Sequence, residues 1–310
     1  MKPFTQRRAH SVAFLGEEGL IAAIRRWLGA ACPPAPFGIG DDCAVIGGTG
    51  KTQLLTVDPV IFGRHFDDRV PARAVGAKLL KRNLSDLAAM GGRPTAAVVA
   101  LMLDPKVSAA WLEDFYRGLA ACARRYGVPI VGGDISEAAG TLAASLTLLG
   151  VAAGPRAVTR AGAAPGDWIY VTGRLGGGVA SGHHYRFLPR LAEGAWLAGR
   201  REVRAMMDLS DGLAKDVRAL CPPRAEPAIQ AGALPRRPRA TVSAALCEGE
   251  DYELLLAVGG RADRPGFEGA WRRKFPRLAL TGIGRFVEAG RLPADAIDLP
   301  AYRGYAHLGQ

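Results

Sequence analysis

The amino-acid sequence predicts a two-domain protein of the mixed α/β (α+β) class. Its 310 residues exceed the roughly 100–200 residues of one typical domain, so two cores fit the length. With 49% hydrophobic and 22% charged residues, the chain has the composition of a folded globular protein and not of a disordered one. Strand-like and helix-like patterns alternate in both halves of the chain, which is typical of sheets packed against helices.

The first half contains three segments with helical periodicity and four short apolar runs typical of strands. Ala72–Met90 ends at two glycines, and Ser108–Tyr126 begins at a serine N-cap and ends before Gly127, which are common helix boundaries. Glu17–Leu28 also places its apolar residues on one helical face. The predicted strands are Gln53–Asp58, Thr95–Leu103, Val128–Val131 and Leu142–Val151.

A stretch rich in glycine, proline and arginine, Ala153–Gly166, is the predicted join between the domains. It divides the chain into an N-terminal domain, residues 1–152, and a C-terminal domain, residues 153–310. The second domain is predicted to open with the strand Asp167–Thr172, followed by a glycine-rich run that leads into a helix. Its other predicted elements are the helix Asp211–Leu220, the loop Pro222–Pro238 and the strand Tyr252–Val258.

The net charge of +11 suits a polyanionic partner, namely nucleic acid, an anionic membrane surface or a phosphorylated small molecule. Nucleic acid is the weakest of these, because aromatic residues make up 7% of the chain and no DNA- or RNA-binding module is recognisable. Five cysteines without a C-x-x-C pair argue against a disulfide framework or a zinc ribbon. Apolar runs are too short for a signal peptide or a membrane span, so the sequence predicts a cytoplasmic protein.

The segment GGTGKT, residues 47–52, ends like a phosphate-binding P-loop, whose full pattern is G-x-x-x-x-G-K-[ST]. That pattern requires a glycine where this chain has Val45, and the residues that follow, QLLTVD, are strand-like. A hairpin turn is therefore the better interpretation of this segment.

Aspartates recur beside glycine, serine or threonine at the ends of apolar segments. Singly, each is most often a turn or cap residue. Together they are typical of a hard-cation site. If they converge, two carboxylates about 4 Å apart repel by about 4 kcal/mol at an effective dielectric of about 20, so a cluster of them requires bound cations. Mg²⁺ shared with the phosphates of a nucleoside triphosphate is the resulting hypothesis. The residues are Asp41, Asp42, Asp58, Asp86, Asp134, Asp208 and Asp211.

The motifs GIGDDCAVI, NLSDLAAMGG, VGGD, MDLSDGL and GEDYELLLAV occur in the order found in thiamine-monophosphate kinases, and the chain resembles that family from about residue 12 onward. The resemblance implies an aminoimidazole ribonucleotide synthetase-like fold, with an N-terminal sheet-and-helix dimerisation domain and a C-terminal α/β sandwich. It also implies ATP-dependent phosphorylation of thiamine monophosphate to thiamine diphosphate by a homodimer. The acceptor phosphate is already anionic, so direct in-line transfer assisted by Mg²⁺ requires no general base.

The resemblance further implies roles for individual residues. Several Mg²⁺ ions would be held by Asp42, Thr56, Val57, Asp58, Asp86, Asp134, Asp208 and Asp211. ATP would contact Tyr116, Gly133, Asp134, Arg160 and Ser210. The residues on the substrate side would be His65, Glu250 and Tyr305.

The sequence departs from the family pattern at three places, Phe62, Ile135–Glu137 and Gly176–Gly178. Two enzyme readings therefore stay open: a thiamine-monophosphate kinase, and a paralogue that uses ATP and Mg²⁺ on another small phosphorylated acceptor. A non-catalytic regulator with the same fold and a basic nucleic-acid-binding protein are the alternatives from other classes.

Overall fold

The computed structural model describes residues 41–46 and 52–306, together with the isolated positions 14, 18, 19, 21, 22, 34 and 50. The predicted helix Glu17–Leu28 therefore lies largely outside the described residues. No helix within them is long and apolar enough to cross a membrane.

The first sheet has five described strands in the spatial order β1-β2-β5-β3-β4. Strands β3 and β4 are parallel, and the other neighbours are antiparallel. Strands β1 and β2 pair antiparallel, whereas the predicted hairpin turn between them, residues 47–52, lies largely outside the described residues. The strands are β1 (Ala44–Ile46), β2 (Gln53–Ile61), β3 (Gly92–Leu103), β4 (Ile130–Glu137) and β5 (Leu142–Ala152).

Two long helices, α1 (Ala72–Ala89) and α2 (Ala109–Tyr126), pack over one face of this sheet and bury its core. Ser108 accepts a hydrogen bond from the Trp111 N–H at the start of α2, and Gly127 ends the helix with a φ of 66°. The helices cross closely at a glycine, since a Cβ on Gly118 would lie 1.8 Å from the backbone oxygen of Arg73. Both helices predicted in this part of the chain are thus confirmed, and they begin and end close to the predicted residues.

The second sheet is antiparallel throughout its described pairs, in the order β7-β9-β6-β10-β8. Alternate residues of its central strands face two separate cores, so both faces are covered by helices. The strands are β6 (Trp168–Thr172), β7 (Val203–Asp208), β8 (Ala225–Ile229), β9 (Leu254–Val258) and β10 (Leu280–Glu288). The helices are α3 (His183–Arg186), α4 (Leu191–Ala198), α5 (Leu213–Leu220), α6 (Val242–Cys247) and α7 (Arg264–Lys274), with 3-10 turns at Ala231–Ala233 and Leu299–Ala301.

Two of the predicted elements are wrong in extent. Pro222–Pro238 is not a loop, because it contains β8 and a 3-10 turn. The strand was not predicted because Pro227 lies within it. Strand β8 tolerates this proline because the strand lies at the edge of the sheet. The strand predicted to end at Val131 continues to Glu137 alongside β3. Gly133 permits this close pairing, because a Cβ there would lie 1.9 Å from the backbone oxygen of Val99.

Helix α1 belongs to both halves of the molecule. Its middle packs in the core of the first sheet, whereas Ala88 and Ala89 at its end pack in a core of the second sheet. A Cβ on Gly194 of α4 would lie only 2.0 Å from the backbone oxygen of Ala88, so the contact is a close one. Residues 153–167 connect the two sheets along the chain, and the division into domains at residue 152 stays a prediction.

Candidate active site between the two sheets

Three carboxylates from distant parts of the chain meet where α1 lies between the sheets. Asp42 precedes β1, Asp86 lies in the last turn of α1, and Asp208 is the last residue of β7. One carboxylate oxygen from each lies within 4.8 Å of those of the other two. The cluster therefore has the size and the ligand type of a metal site.

Hydroxyl groups and an arginine fix the orientation of these carboxylates. Thr56 donates its hydroxyl to Asp86 Oδ2 at 2.6 Å, and Ser85 donates to Asp208 Oδ2 at the same distance. Arg160 binds both oxygens of Asp42 through Nε and Nη2, at 2.9 and 3.0 Å. Each carboxylate thus has one of these partners among the described residues and retains lone pairs for a further ligand.

Burial and mutual repulsion shift the acidity of this cluster. Burial raises the pKa of Asp86 and Asp208 well above the usual value for aspartic acid, and the neighbouring carboxylates raise it further. Burial, together with the charge of Asp42, also raises the pKa of Asp41 to about 6. A group of oxygen donors that repel one another in this way suits a hard divalent cation, because the cation supplies the missing positive charge.

Asp58 lies beside this cluster on the same, helix-covered face of β2. Arg82 of α1 donates through Nη2 to Asp58 Oδ1 at 3.1 Å and through Nη1 to the carbonyl of Pro59 at 2.5 Å. The Nε of Arg82 is buried and has no hydrogen-bond partner among the described residues. Arg82 is therefore a positively charged side chain at the edge of the cluster, and its Nε–H group makes no hydrogen bond to the described residues.

The cluster opens into a cavity of about 340 Å³. Both Ser210 and Asp211 line it, and their backbone N–H groups donate to the buried Asp216 at 3.1 Å each. Lys215 donates to Asp211 Oδ2 at 2.8 Å. The residues that line the cavity come from both halves of the chain and are Asp58, Arg64, His65, Arg82, Asp86, Val179, Asp208, Ser210, Asp211, Gly249, Glu250, Tyr252 and Tyr305.

All three residues predicted on the substrate side line this cavity: His65, Glu250 and Tyr305. The guanidinium of Arg64 lies 4.7 Å from the ring centroid of Tyr305. A second cavity, of about 440 Å³, shares Arg64, His65, Val179 and Glu250 with the first. The two cavities form one cleft, with the carboxylates at one end and aromatic and basic groups at the other.

Seven predicted site residues do not line either cavity. Three of them, Asp42, Thr56 and Arg160, belong to the carboxylate cluster and its hydrogen-bond partners. The other four are Val57, Gly133, Asp134 and Tyr116. Val57 projects from the opposite face of β2 and is 60% exposed. Gly133 and Asp134 lie on β4, three strands away from β2, and Asp134 accepts a hydrogen bond from Ser136 at 3.0 Å. Tyr116 lies on α2 in edge contact with Phe115. Their roles stay predictions.

The basic residues of α1 that reach the site are not among the predicted site residues. Lys78 and Arg82 precede Asp86 at intervals of four, which places all three on one face of the helix. That spacing was the available signal, since charged residues on an otherwise apolar helix face indicate a buried polar site. Arg64 and Lys215 had no comparable signal.

Comparison with known proteins agrees with this architecture. The family model described as the N-terminal domain of AIR synthase related proteins matches residues 40–152. The thiamine-monophosphate kinase of Escherichia coli K12 is 35% identical over 273 residues, which cover 78% of this chain and 82% of that protein. The same enzyme of Methanospirillum hungatei is 32% identical over 284 residues, or 86% and 92% of the two lengths.

A solved structure described as AaThiL complexed with AMPPCP and TMP superposes on this chain with a TM-score of 0.79. It is 29% identical in sequence, and the match covers 98% of this chain and 99% of the other.

The fold and the carboxylate cleft place the protein in the AIR synthase related class, whose N-terminal model spans the described part of the first sheet. Its curated relatives share more than 30% identity across most of both lengths. The chain belongs to the thiamine-monophosphate kinase family, as its motifs predict.

Proposed function

We propose that this protein transfers the γ-phosphoryl group of ATP to thiamine monophosphate in the cytoplasm, giving thiamine diphosphate and ADP. The observation that supports this most directly is the cluster of Asp42, Asp86 and Asp208 at one end of a cleft. The predicted substrate residues His65, Glu250 and Tyr305 line the same cleft. A cleft with carboxylates at one end and aromatic and basic groups at the other fits an acceptor that has both a phosphate group and an organic part.

The donor set of the cluster fits Mg²⁺. We propose that Asp42, Asp86 and Asp208 hold it, with Asp58 and Asp211 at the cavity wall as further oxygen donors. Mg²⁺, when bound, would neutralise negative charge on the carboxylates and on the phosphate oxygens. The predicted participation of Thr56, Val57 and Asp134 is part of the same proposal.

The chain's own residues would orient the two anionic reactants. Arg82 and Arg64 line the cavity and offer positive charge to phosphate groups. A phosphate oxygen of the acceptor is already anionic near neutral pH, so it needs no base to remove a proton. The new bond joins that oxygen to the γ-phosphorus as the bond to the β-phosphate oxygen breaks, and ADP leaves with the electron pair.

The direct test is an incubation of the purified protein with ATP, Mg²⁺ and thiamine monophosphate. We expect thiamine diphosphate and ADP in equal amounts, no product from unphosphorylated thiamine, and no turnover in excess EDTA. With γ-labelled ATP, we expect no labelled protein during turnover. ATP-analogue binding without thiamine diphosphate formation would contradict the proposal and favour another phosphorylated acceptor.

We also propose that the active form is a homodimer built through the first sheet. The face of this sheet opposite the helices is apolar, and its valines Val57 and Val98 are exposed among the described residues. Val57 and Val98 lie in one row across it, on either side of Thr147, and are 60% and 40% exposed. A second copy of the chain would bury this face, because exposed apolar sheet surfaces of this kind mark interfaces.

Val98→Asp is expected to convert the dimer into monomers, because it places an unpaired charge in the proposed apolar interface. Light scattering coupled to size-exclusion chromatography measures the mass directly. Leu292→Asp is the matched control, since Leu292 is 42% exposed and lies outside the first sheet. Dimers that persist in Val98→Asp, or a monomeric parent protein, would contradict this interface.

A further inference from the structure

Lys78 is a fully buried lysine at the centre of the cleft wall. Its side chain has no exposed surface, and its ammonium group contacts three polar groups from three separate segments. The Nζ atom lies 2.6 Å from Glu250 Oε1, 2.8 Å from the backbone oxygen of His65 and 3.0 Å from His184 Nδ1. The first two partners can only accept, so at least two of the three ammonium N–H groups donate to the protein itself.

The burial of Lys78 decides what this side chain can do. It has no exposed surface and does not line either cavity. Two of its three partners, His65 and Glu250, do line the cavity and are the predicted substrate residues. Lys78 therefore acts on the cleft through other residues and not by contacting a ligand.

Glu250 requires such support, because its backbone is in the left-handed region. Its φ is 64°, which non-glycine residues adopt rarely. Its N–H donates to the backbone oxygen of Ser210 at 2.7 Å, and Tyr252 donates its hydroxyl to Glu250 Oε1 at 3.1 Å. Lys78 completes this set, because its ammonium group contacts the same carboxylate oxygen, Oε1, at 2.6 Å.

The charges of Glu250 and Lys78 determine whether the Glu250 side chain is ionised when a ligand binds. Burial raises the pKa of Glu250, but His184 and Lys78 oppose it and lower the value to about 2. Burial in turn lowers the pKa of Lys78, and the Glu250 carboxylate opposes that shift. Glu250 thus stays ionised, and its charge is balanced by Lys78.

We propose that Lys78 is a positioning residue, which fixes the Glu250 carboxylate and the backbone carbonyl of His65 and thereby sets the affinity for the organic part of the acceptor. This inference rests on the proposed thiamine-monophosphate kinase function. Through its contact with Glu250, Lys78 joins α1, which carries Asp86, to the loop before β9. The metal end and the acceptor end of the cleft are therefore both connected to one helix. Glu250 then offers hydrogen-bond acceptors of fixed direction, within a pair of no net charge.

The test compares Lys78→Met with the parent protein by calorimetry and steady-state kinetics in Mg²⁺. We expect the Kd and KM for thiamine monophosphate to rise about 10-fold or more, as for the loss of a hydrogen bond to a charged group. The Kd for the ATP analogue AMPPCP should stay within about twofold, and kcat should change much less than KM, because the lost interaction serves binding. Lys81→Met is the matched control: Lys81 lies on the same helix and donates to the Tyr185 carbonyl at 3.0 Å, without contact to Glu250.

A second variant separates positioning from folding. Lys78→Met leaves Glu250 as a buried unpaired charge, whereas Lys78→Met combined with Glu250→Gln leaves a neutral pair. We expect the double variant to fold and to bind AMPPCP normally, and still to bind thiamine monophosphate about 10-fold or more weakly.

Parent-like affinity for thiamine monophosphate in either variant would overturn the positioning role. So would a parallel loss of AMPPCP and thiamine monophosphate binding in the double variant, which would indicate a purely structural lysine. A parent protein that binds AMPPCP but neither binds nor phosphorylates thiamine monophosphate would instead contradict the proposed function, and the assignment of Lys78 with it.

Discussion

Asp86→Asn is expected to lower kcat by about 1000-fold or more, which corresponds to about 4 kcal/mol of lost transition-state stabilisation. The reason is that Asp86 lies at the centre of the carboxylate cluster and would supply one of its charged metal ligands. The amide oxygen of asparagine can still accept the hydrogen bond that Thr56 donates at 2.6 Å, so the fold should persist. The charge is what the substitution removes.

The measurement is thiamine diphosphate formation at saturating ATP, over a range of Mg²⁺ concentrations. Asp114→Asn is the matched control, because Asp114 is an exposed aspartate on α2 that pairs with Arg73. We expect the control to retain parental activity. Activity of Asp86→Asn within tenfold of the parent would exclude Asp86 as an essential metal ligand.

The second large effect concerns the stability of the metal-free protein, which is expected to fall as pH rises from about 4 towards the raised pKa values of the folded carboxyls. Burial raises the pKa of Asp86 and Asp208, and it raises that of Asp41 to about 6, whereas the unfolded chain has ordinary values near 3.9. The folded state therefore binds more protons than the unfolded state over this interval. Their contribution to stability is fully present below the unfolded pKa of about 3.9 and is lost progressively as pH rises towards the folded pKa values, by up to about 1.4 kcal/mol per pH unit for each carboxyl.

Denaturant unfolding at pH 4.5, 5.5, 6.5 and 7.5 in EDTA measures this slope. Addition of Mg²⁺ with AMPPCP should stabilise the protein more at pH 7.5 than at pH 5.5, because the metal requires the deprotonated carboxylates. Asp86→Asn serves as the comparison, since removing one buried charge should flatten the decline in EDTA. A metal-free protein whose stability rises with pH, or a slope that is identical in the variant, would contradict the raised pKa values.

Local signals in the sequence were sufficient to predict the best-defined elements of the fold. Helices α1 and α2 have apolar residues on one face and clear end signals, such as Ser108 and Gly127, so their bounds were predicted to within two residues. Strand β8 was missed because it contains Pro227 and because its position beside β10 depends on residues about 60 positions later in the chain. Helix α7 and strand β10 were likewise not identified.

The candidate site shows the same division. The recurrence of aspartate beside glycine, serine and threonine was visible in the sequence and indicated a cation site, but it did not show which carboxylates meet. Asp42, Asp86 and Asp208 do so in this chain, whereas Asp134 lies on an exposed edge strand. Lys78 and Arg82 showed only a helical spacing, because the partners that give them a role come from other segments.

By itself, the sequence determined the class of fold, the family and the chemical type of the site, since each depends on motifs and periodicities of a few neighbouring residues. Only the tertiary structure decided how those motifs combine. Ser85 and Asp208 are 123 positions apart in the chain and yet 2.6 Å apart in space, because α1 packs in the cores of both sheets. That packing, which no local pattern specifies, places the carboxylates at one end of the cleft and the Lys78–Glu250 pair in its wall.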